Sequence, residues 1–240
     1  MKALIIEDSR LARVEMRRLL AAHEDIEIVG EAGTADEADA IIAKLLPDLL
    51  FLDIQLPGRD GFEFLAGLDA VPNVIFCTAY NEFAVRAFES NALDYLVKPV
   101  HPERLATALD RARNAVGQRQ SECGSRRHLL HLSDRVFVKE GEHCWFVSLA
   151  EVRYFEIEGS YTRLYFGAHR PLIPKTLNYL ETRLDPQYFF RASRRHIVNL
   201  QWIKDVEPWF SGGLKITIKD GQAIEVSRRQ AQRFRDLMSL

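Results

Sequence analysis

The sequence predicts a doubly wound parallel α/β domain followed by a mainly β domain. Three observations carry that reading. The first half alternates short apolar runs with helix-like stretches, the second half strings together runs rich in Val, Ile, Phe, Tyr and Trp with short polar turns between them, and the charge reverses from one half to the other. With 240 residues the chain has room for two domains of ordinary size, at about 100 to 200 residues each.

In chain order, KALIIE (2–7) reads as a strand, 9–22 as a helix, IEIVGEA as a strand, 34–45 as a helix and DLLFLD (48–53) as a strand, and the rhythm continues through VIFCT and YLVK. These strands are continuous apolar runs rather than alternating ones, the pattern of a sheet covered by helices on both faces. The last helix, PERLATALDRARNAV, runs out into GQRQSECGSRRHLLHLSD, where apolar periodicity disappears. Residues 117–134 are therefore read as a linker between a first domain at 1–116 and a second at 135–240. The second domain offers VFVK, CWFVS, VRYFEIE, TRLYFG, PLIP, HIVNL and LKITIK as strands, and KTLNYLETRL (175–184) and SRRQAQRFRDLM (227–238) as its two helices. It has neither zinc-finger spacing nor a basic-region zipper.

Hydrophobic residues at 47% and charged residues at 28% fit a globular chain and exclude global disorder. No apolar run approaches the roughly 20 residues needed to span a bilayer. The N-terminus reaches Glu7 and Asp8 before a signal-type segment forms, so a cytoplasmic location is expected. Cys77, Cys123 and Cys144 lack metal-type spacing and are read as reduced and mostly structural. The net charge of −2 hides a division: residues 1–116 carry 12 Lys and Arg against 20 Asp and Glu, and residues 117–240 carry 20 against 14. A basic second half is a candidate for phosphate backbones, although solvated surfaces also diverge this far by chance.

Functional residues of a doubly wound sheet collect at the carboxyl ends of its strands, where loops and helix N-termini open a crevice. Glu7 and Asp8 end the first strand, Asp53 the third, Thr78 the fourth, and Lys98 with Pro99 the fifth. Clustered carboxylates need a counter-charge, which a hard divalent cation such as Mg²⁺ supplies through oxygen ligands. The set suits phosphoryl transfer: Asp53 attacks a phosphoryl donor, Mg²⁺ and Lys98 offset oxyanion charge, and Thr78 hydrogen-bonds a phosphoryl oxygen. Taken singly, Asp53 could open a loop, Thr78 end a strand and Lys98 be a solvated charge; five such residues on successive strand ends favour a site.

The segments IIEDSRLAR, LLFLDIQLPGRDGFEFL, VIFCTAY and ALDYLVKPV resemble the signature segments of two-component receiver domains, and the likeness covers the whole first half. It implies a flavodoxin-like, five-stranded sheet with Asp53 as phosphoacceptor. The metal would sit on Glu7, Asp8, Asp53 and the Gln55 backbone carbonyl. Lys98, before what is usually a cis-proline at Pro99, would bind the phosphoryl group. Thr78 and Tyr95 would form a switch pair: Thr78 moves toward the phosphoryl group and Tyr95 turns into the vacated space, changing the face made by the last strand and last two helices. Without the neighbouring motif, Tyr95 reads as a half-buried packing aromatic.

Arginine concentrates in the second half, at Arg163, in RASRRH from Arg191 to His196, and in SRR at 227–229. Arginine pairs bidentately with phosphates and guanine edges, which suits duplex DNA; the bland alternative for 227–238 is a helix with a solvated basic face. Three segments, VRYFEIEGSYTRLYF, YFFRASRRHIVNLQWIKDVEPW and ITIKDGQAIEVSRRQAQRF, resemble the LytTR family of DNA-binding domains. That family's fold is a compact set of small antiparallel sheets reading DNA through loops. The resemblance implies DNA contacts at Tyr161, Thr162 and Arg163, at Ser193, Arg194 and Arg195, and at Arg228 and Arg229, with Arg194 and Arg229 foremost. The triplet 193–195 departs from the commoner family form, which leaves base preference open there. His196 stands at a position that is often aromatic in the family, and is read as packing.

The combined expectation is a response regulator, not an enzyme: a sensor histidine kinase phosphorylates Asp53, the chain forms a homodimer, and two output domains engage paired half-sites of promoter DNA to regulate transcription. Two rivals remain. A phosphatase also uses an aspartyl-phosphate on such a sheet, but Ile54-Gln55 after Asp53 omits the second carboxylate such enzymes place two residues on. An output half that binds protein or RNA would differ in its competition by duplex DNA and its salt dependence.

Overall fold

The structure, a computed structural model, describes residues 1–79, 92–120, 129–141 and 143–238, with side chains left out at 117–120. It divides into two compact units, Met1–Gly124 with Arg135–Phe146, and Ser125–Asp134 with Val147–Leu240.

In the first unit the strands are β1 (Lys2–Ile6), β2 (Glu27–Ala32), β3 (Leu49–Leu52), β4 (Asn73–Thr78) and β5 (Asp94–Val97). They form a parallel sheet in the order β2-β1-β3-β4-β5, the flavodoxin-like order that the resemblance implies. Successive side chains of a strand point to opposite faces. Leu4, Ile6, Leu50, Leu52, Val74 and Phe76 accordingly enter one apolar cluster, and Ala3, Ile5, Leu49, Phe51, Ile75 and Cys77 another. Helices α2 (Ala35–Leu45) and α3 (Gly61–Gly67) cover the first face through Ala38, Phe62 and Leu65. Helices α1 (Arg10–Leu20) and α4 (Pro102–Gln120) cover the second through Met16, Leu20, Leu105 and Leu109. Continuous apolar strands are what this double coverage requires. Part of the face assigned to the last two helices falls on residues 80–91 and lies outside the described residues.

Each helix start is fixed locally. Ser9, Thr34 and Asp60 accept hydrogen bonds from backbone amides of the first turns of α1, α2 and α3, and Asp60 with Glu63 completes a reciprocal capping box. Gly61 stands where α3 nearly touches the end of β3. Its amide donates to the Ile54 carbonyl at 2.7 Å, and a methyl group there would lie 2.6 Å from the Asp53 carbonyl oxygen.

The hairpin of β6 (Arg135–Glu140) and β7 (His143–Ser148) begins the second domain in the sequence reading, yet up to Phe146 it counts with the first compact unit. Its chemistry explains this. Phe137, Cys144 and Phe146 share the apolar cluster of Phe62, with ring centroids 6.2 Å apart for Phe62–Phe137 and 5.0 Å for Phe137–Phe146. The Val71 amide also donates to the Arg135 carbonyl at 2.8 Å. The stretch read as a linker is structured at both described ends. Helix α4 continues to Gln120, and Leu130 bridges Leu184 while its amide donates to the Arg183 carbonyl at 2.6 Å.

The second unit carries a five-stranded antiparallel sheet, β10-β9-β8-β12-β11, and a three-stranded one, β13-β14-β15. The strands are β8 (Val152–Glu158), β9 (Tyr161–Phe166), β10 (Leu172–Ile173), β11 (Phe189–Arg191), β12 (His196–Asn199), β13 (Ile203–Pro208), β14 (Leu214–Ile218) and β15 (Ala223–Val226). Helices α5 (Leu177–Arg183) and α6 (Arg228–Met238) match the two read from the sequence. Ala231 and Phe234 of α6 close a core with Phe190, Ile216 and Ile224. The buried Asn199 amide ties β12 to the start of β8, donating to the Val152 carbonyl at 2.8 Å. Cys77 and Cys144 lie in apolar clusters, as structural residues do, and Cys123 is outside the described residues. Among the described residues no helix is long and apolar enough to cross a membrane.

Candidate functional site

In the first unit the parallel strands deliver their carboxyl ends to one edge. The Asp53 amide donates to the Ile6 carbonyl and the Lys98 amide to the Thr78 carbonyl, both at 2.9 Å, which ties the end of β3 to that of β1 and the end of β5 to that of β4. Lys98 Nζ then lies 2.6 Å from Asp53 Oδ2 and also donates to Glu7. Asp53 and Glu7 are buried, while Asp8 is exposed beside them. One oxygen from each of these three carboxylates falls within 4.8 Å of the others, a hard-oxygen set that fits a divalent cation such as Mg²⁺. The Gln55 amide donates to Asp53 Oδ1 at 3.1 Å, which orients that carboxylate and brings residue 55 beside it.

The electrostatics follow from burial against pairing. Burial raises the Glu7 pKa above the ordinary carboxylate value despite the opposing bond from Lys98. At Lys98 burial works to lower the pKa, but the hydrogen bonds to Asp53 and Glu7 outweigh it and the ammonium is held charged. A fixed positive charge beside a nucleophilic carboxylate is what offsets charge developing on transferred phosphoryl oxygens.

Thr78 is fully buried and its hydroxyl oxygen has no hydrogen-bond partner among the described residues. Buried hydroxyls are normally satisfied, so this one keeps an unused donor at the carboxyl end of β4, the strand next to β3. Tyr95 on β5 is buried in the cluster of Phe76 and Phe62. The Lys98–Pro99 peptide is cis, as the resemblance implies.

In the second unit the structure brings Ser193, Arg194, Arg195, Arg228 and Arg229 to one open groove. It does not bring Tyr161, Thr162 and Arg163 there, since these belong to β9 rather than to a loop. Thr162 is a correction. It is fully buried with its hydroxyl donating to the Lys175 carbonyl at 2.6 Å, so it shapes the sheet and is not placed to touch DNA. Tyr161 is exposed, and Arg163 is committed to Glu158 and to the Arg170 carbonyl.

The 193–195 loop is braced from beneath. Arg191 donates to the Ser193 and Arg194 carbonyls at 2.7 and 2.9 Å. His196 Nδ1 lies 3.2 Å from Ser193 Oγ, and its ring packs edge-on to Tyr154. Burial lowers the His196 pKa, in keeping with a packing role. Sequence reasoning named Arg191 only as part of an arginine run, and it missed Arg233 of α6, which lines the same groove. The four-residue spacing of Arg229 and Arg233 on one helix was the available signal.

Residues 3–110 match the response regulator receiver domain and residues 142–239 the LytTr DNA-binding domain. The chain therefore belongs to the response regulators of two-component systems that join a receiver to a LytTR DNA-binding domain. It is 31% identical to the sensory transduction protein LytT of Bacillus subtilis (strain 168) over the full length of both chains. It is 34% identical to the transcriptional regulatory protein BtsR of Salmonella typhimurium, covering 100% of this chain and 99% of that one. Among solved structures, the response regulatory domain of mrkE from Klebsiella pneumoniae is 34% identical with a TM-score of 0.45, over 49% of this chain and 99% of that one.

Proposed function

We propose that this chain is a phosphorylation-controlled transcription regulator in which Asp53 takes a phosphoryl group from the phosphohistidine of a sensor kinase. An Asp53 carboxylate oxygen attacks phosphorus, a P–O bond forms and the P–N bond to the kinase histidine breaks. Glu7, Asp8, Asp53 and the Gln55 backbone carbonyl would hold Mg²⁺, which would supply positive charge to the phosphoryl oxygens. Lys98 gives up its bond to Asp53 Oδ2 for a phosphoryl oxygen, and the orphan Thr78 hydroxyl donates to another. Thr78 and Tyr95 act as the switch pair. The observation that carries this reading is the meeting of Lys98 Nζ with Asp53 Oδ2 at 2.6 Å, with a buried threonine hydroxyl at the end of the neighbouring strand that has no partner among the described residues.

The output is promoter DNA, bound in the cytoplasm by a homodimer on paired half-sites, with receiver 1–116, linker 117–134 and output half 135–240. Arg194 and Arg229 contact base edges. Ser193, Arg195 and Arg228 position the backbone, and Tyr161 and Arg163 act from β9. Relatives named as transcriptional regulatory proteins support a regulator rather than an enzyme. Incubation with a small-molecule phosphodonor and Mg²⁺ should give an acid-stable, base-labile phospho-species in the wild type and none in Asp53→Asn. A phospho-species on that variant would place the acceptor elsewhere.

A further inference from the structure

Between β13 and β14 the chain makes a short bend that holds a phenylalanine in solvent. Phe210 is 78% exposed, although large apolar side chains are ordinarily covered. The bend is built to keep it there. The Trp209 amide donates to the Gly213 carbonyl at 3.0 Å and the Gly213 amide to the Phe210 carbonyl at 3.1 Å. Gly212 has φ 79°, and Ser211 has φ 55°, a conformation that a residue with a Cβ adopts only when its surroundings impose it. Trp209 anchors the base of the bend: Lys215 Nζ sits 4.7 Å from its ring centroid, and its edge-on contact with Phe210 has centroids 4.8 Å apart.

The bend is also fixed to the arginine groove. A methyl group at Gly213 would lie 2.8 Å from the Val226 carbonyl, and one at Gly212 would lie 3.8 Å from Arg228 Cγ, so the bend packs against the end of β15 and the first residue of α6. Phe210 lines the same groove as Arg194, Arg195, Arg228, Arg229 and Arg233, in which six arginines face two glutamates. A basic groove selects a polyanion, and the apolar surface that duplex DNA offers within its major groove is the thymine methyl.

We propose that Phe210 is a specificity-determining residue that contacts a thymine methyl in the bound duplex. This assignment rests on the DNA-binding reading above. The arginines supply phosphate contacts to any duplex and, at Arg194 and Arg229, hydrogen bonds to base edges; Phe210 adds preference for an A·T pair at one position, and the strained, glycine-closed bend fixes its reach.

The test uses the full chain and duplexes that the wild type selects from a random pool. Affinities of wild type, Phe210→Ala and Arg194→Ala are compared on a selected duplex, on the same duplex with single thymines replaced by uracil, and on unselected duplex of equal length. Phe210→Ala should bind the selected duplex about tenfold less tightly, the cost of one mismatched pair. It should bind unselected duplex as the wild type does, with an unchanged salt slope. One uracil replacement should weaken the wild type and leave Phe210→Ala unaffected. The assignment is overturned if Phe210→Ala matches the wild type on the selected duplex, loses affinity equally on every duplex, or still responds to that uracil. A wild type that retains no duplex overturns the DNA-binding reading and this assignment with it; a deficit confined to Arg194→Ala removes Phe210 alone. Circular dichroism and thermal midpoint should be the same for wild type and Phe210→Ala, since the side chain is exposed.

Discussion

The receiver edge and the arginine groove solve opposite problems. At the receiver edge the Glu7 and Asp53 carboxylates are buried and both held by one cation, Lys98, so the geometry exists before any ligand arrives. In the groove the cations stand exposed on loops and on the start of α6, and only the backbone beneath them is braced, by Arg191 and His196. Chemistry at one phosphorus atom rewards fixed charges at set distances. Recognition of a long, hydrated, deformable polyanion rewards exposed side chains on a rigid frame.

Removing one group should therefore have very different effects in the two places. Asp53→Asn should abolish phosphorylation outright while leaving the sheet folded, read as loss of the phospho-species with an unchanged circular dichroism spectrum. Phe137→Ala, which empties the stacked position between Phe62 and Phe146, should destabilise the first unit by about 3–5 kcal/mol in urea unfolding. A loss below about 1 kcal/mol would mean that the hairpin is only loosely attached. Arg194→Ala or Arg229→Ala should weaken binding to a preferred duplex by about 1–3 kcal/mol; unchanged affinity would remove that residue from the interface.

The smallest effect is a pH dependence at the groove. Burial lowers the His196 pKa, so the unfolded chain binds this proton more readily than the folded one. The stability of the second half should then be full above the ordinary histidine value of about 6.5 and decline as pH falls through and below it. His196→Gln should flatten that decline, and an identical pH profile in the variant would contradict it.

The same contrast governs what could be read from the sequence. The strands that carry the site are short, largely apolar runs, and Glu7, Asp53, Thr78 and Lys98 directly follow or close them, so the edge they share follows from the βαβ rhythm alone. The second half yielded seven strands and both helices, but β11, β13 and β15 went unread. The first is three residues long, IKDVEP is polar and ends in proline, and AIEV is four residues with two exposed. Thr162 was misplaced because in YTRLYF the alternation that buries it is visible only once β9 is paired on both sides. That the hairpin up to Phe146 counts with the first compact unit was not legible, because an apolar strand face does not state which core it joins. Phe210 could not be found at all, since an exposed aromatic in WFSGG reads as an ordinary turn neighbour.

The central claim is that phosphorylation at Asp53 controls DNA binding in the arginine groove. Its most direct test is the affinity of the full chain for a preferred duplex, with and without phosphodonor and Mg²⁺, in wild type and in Asp53→Asn. The account predicts that the donor tightens binding by the wild type and does nothing to the variant. Equal tightening in both, or none in a wild type shown to be phosphorylated, would contradict it.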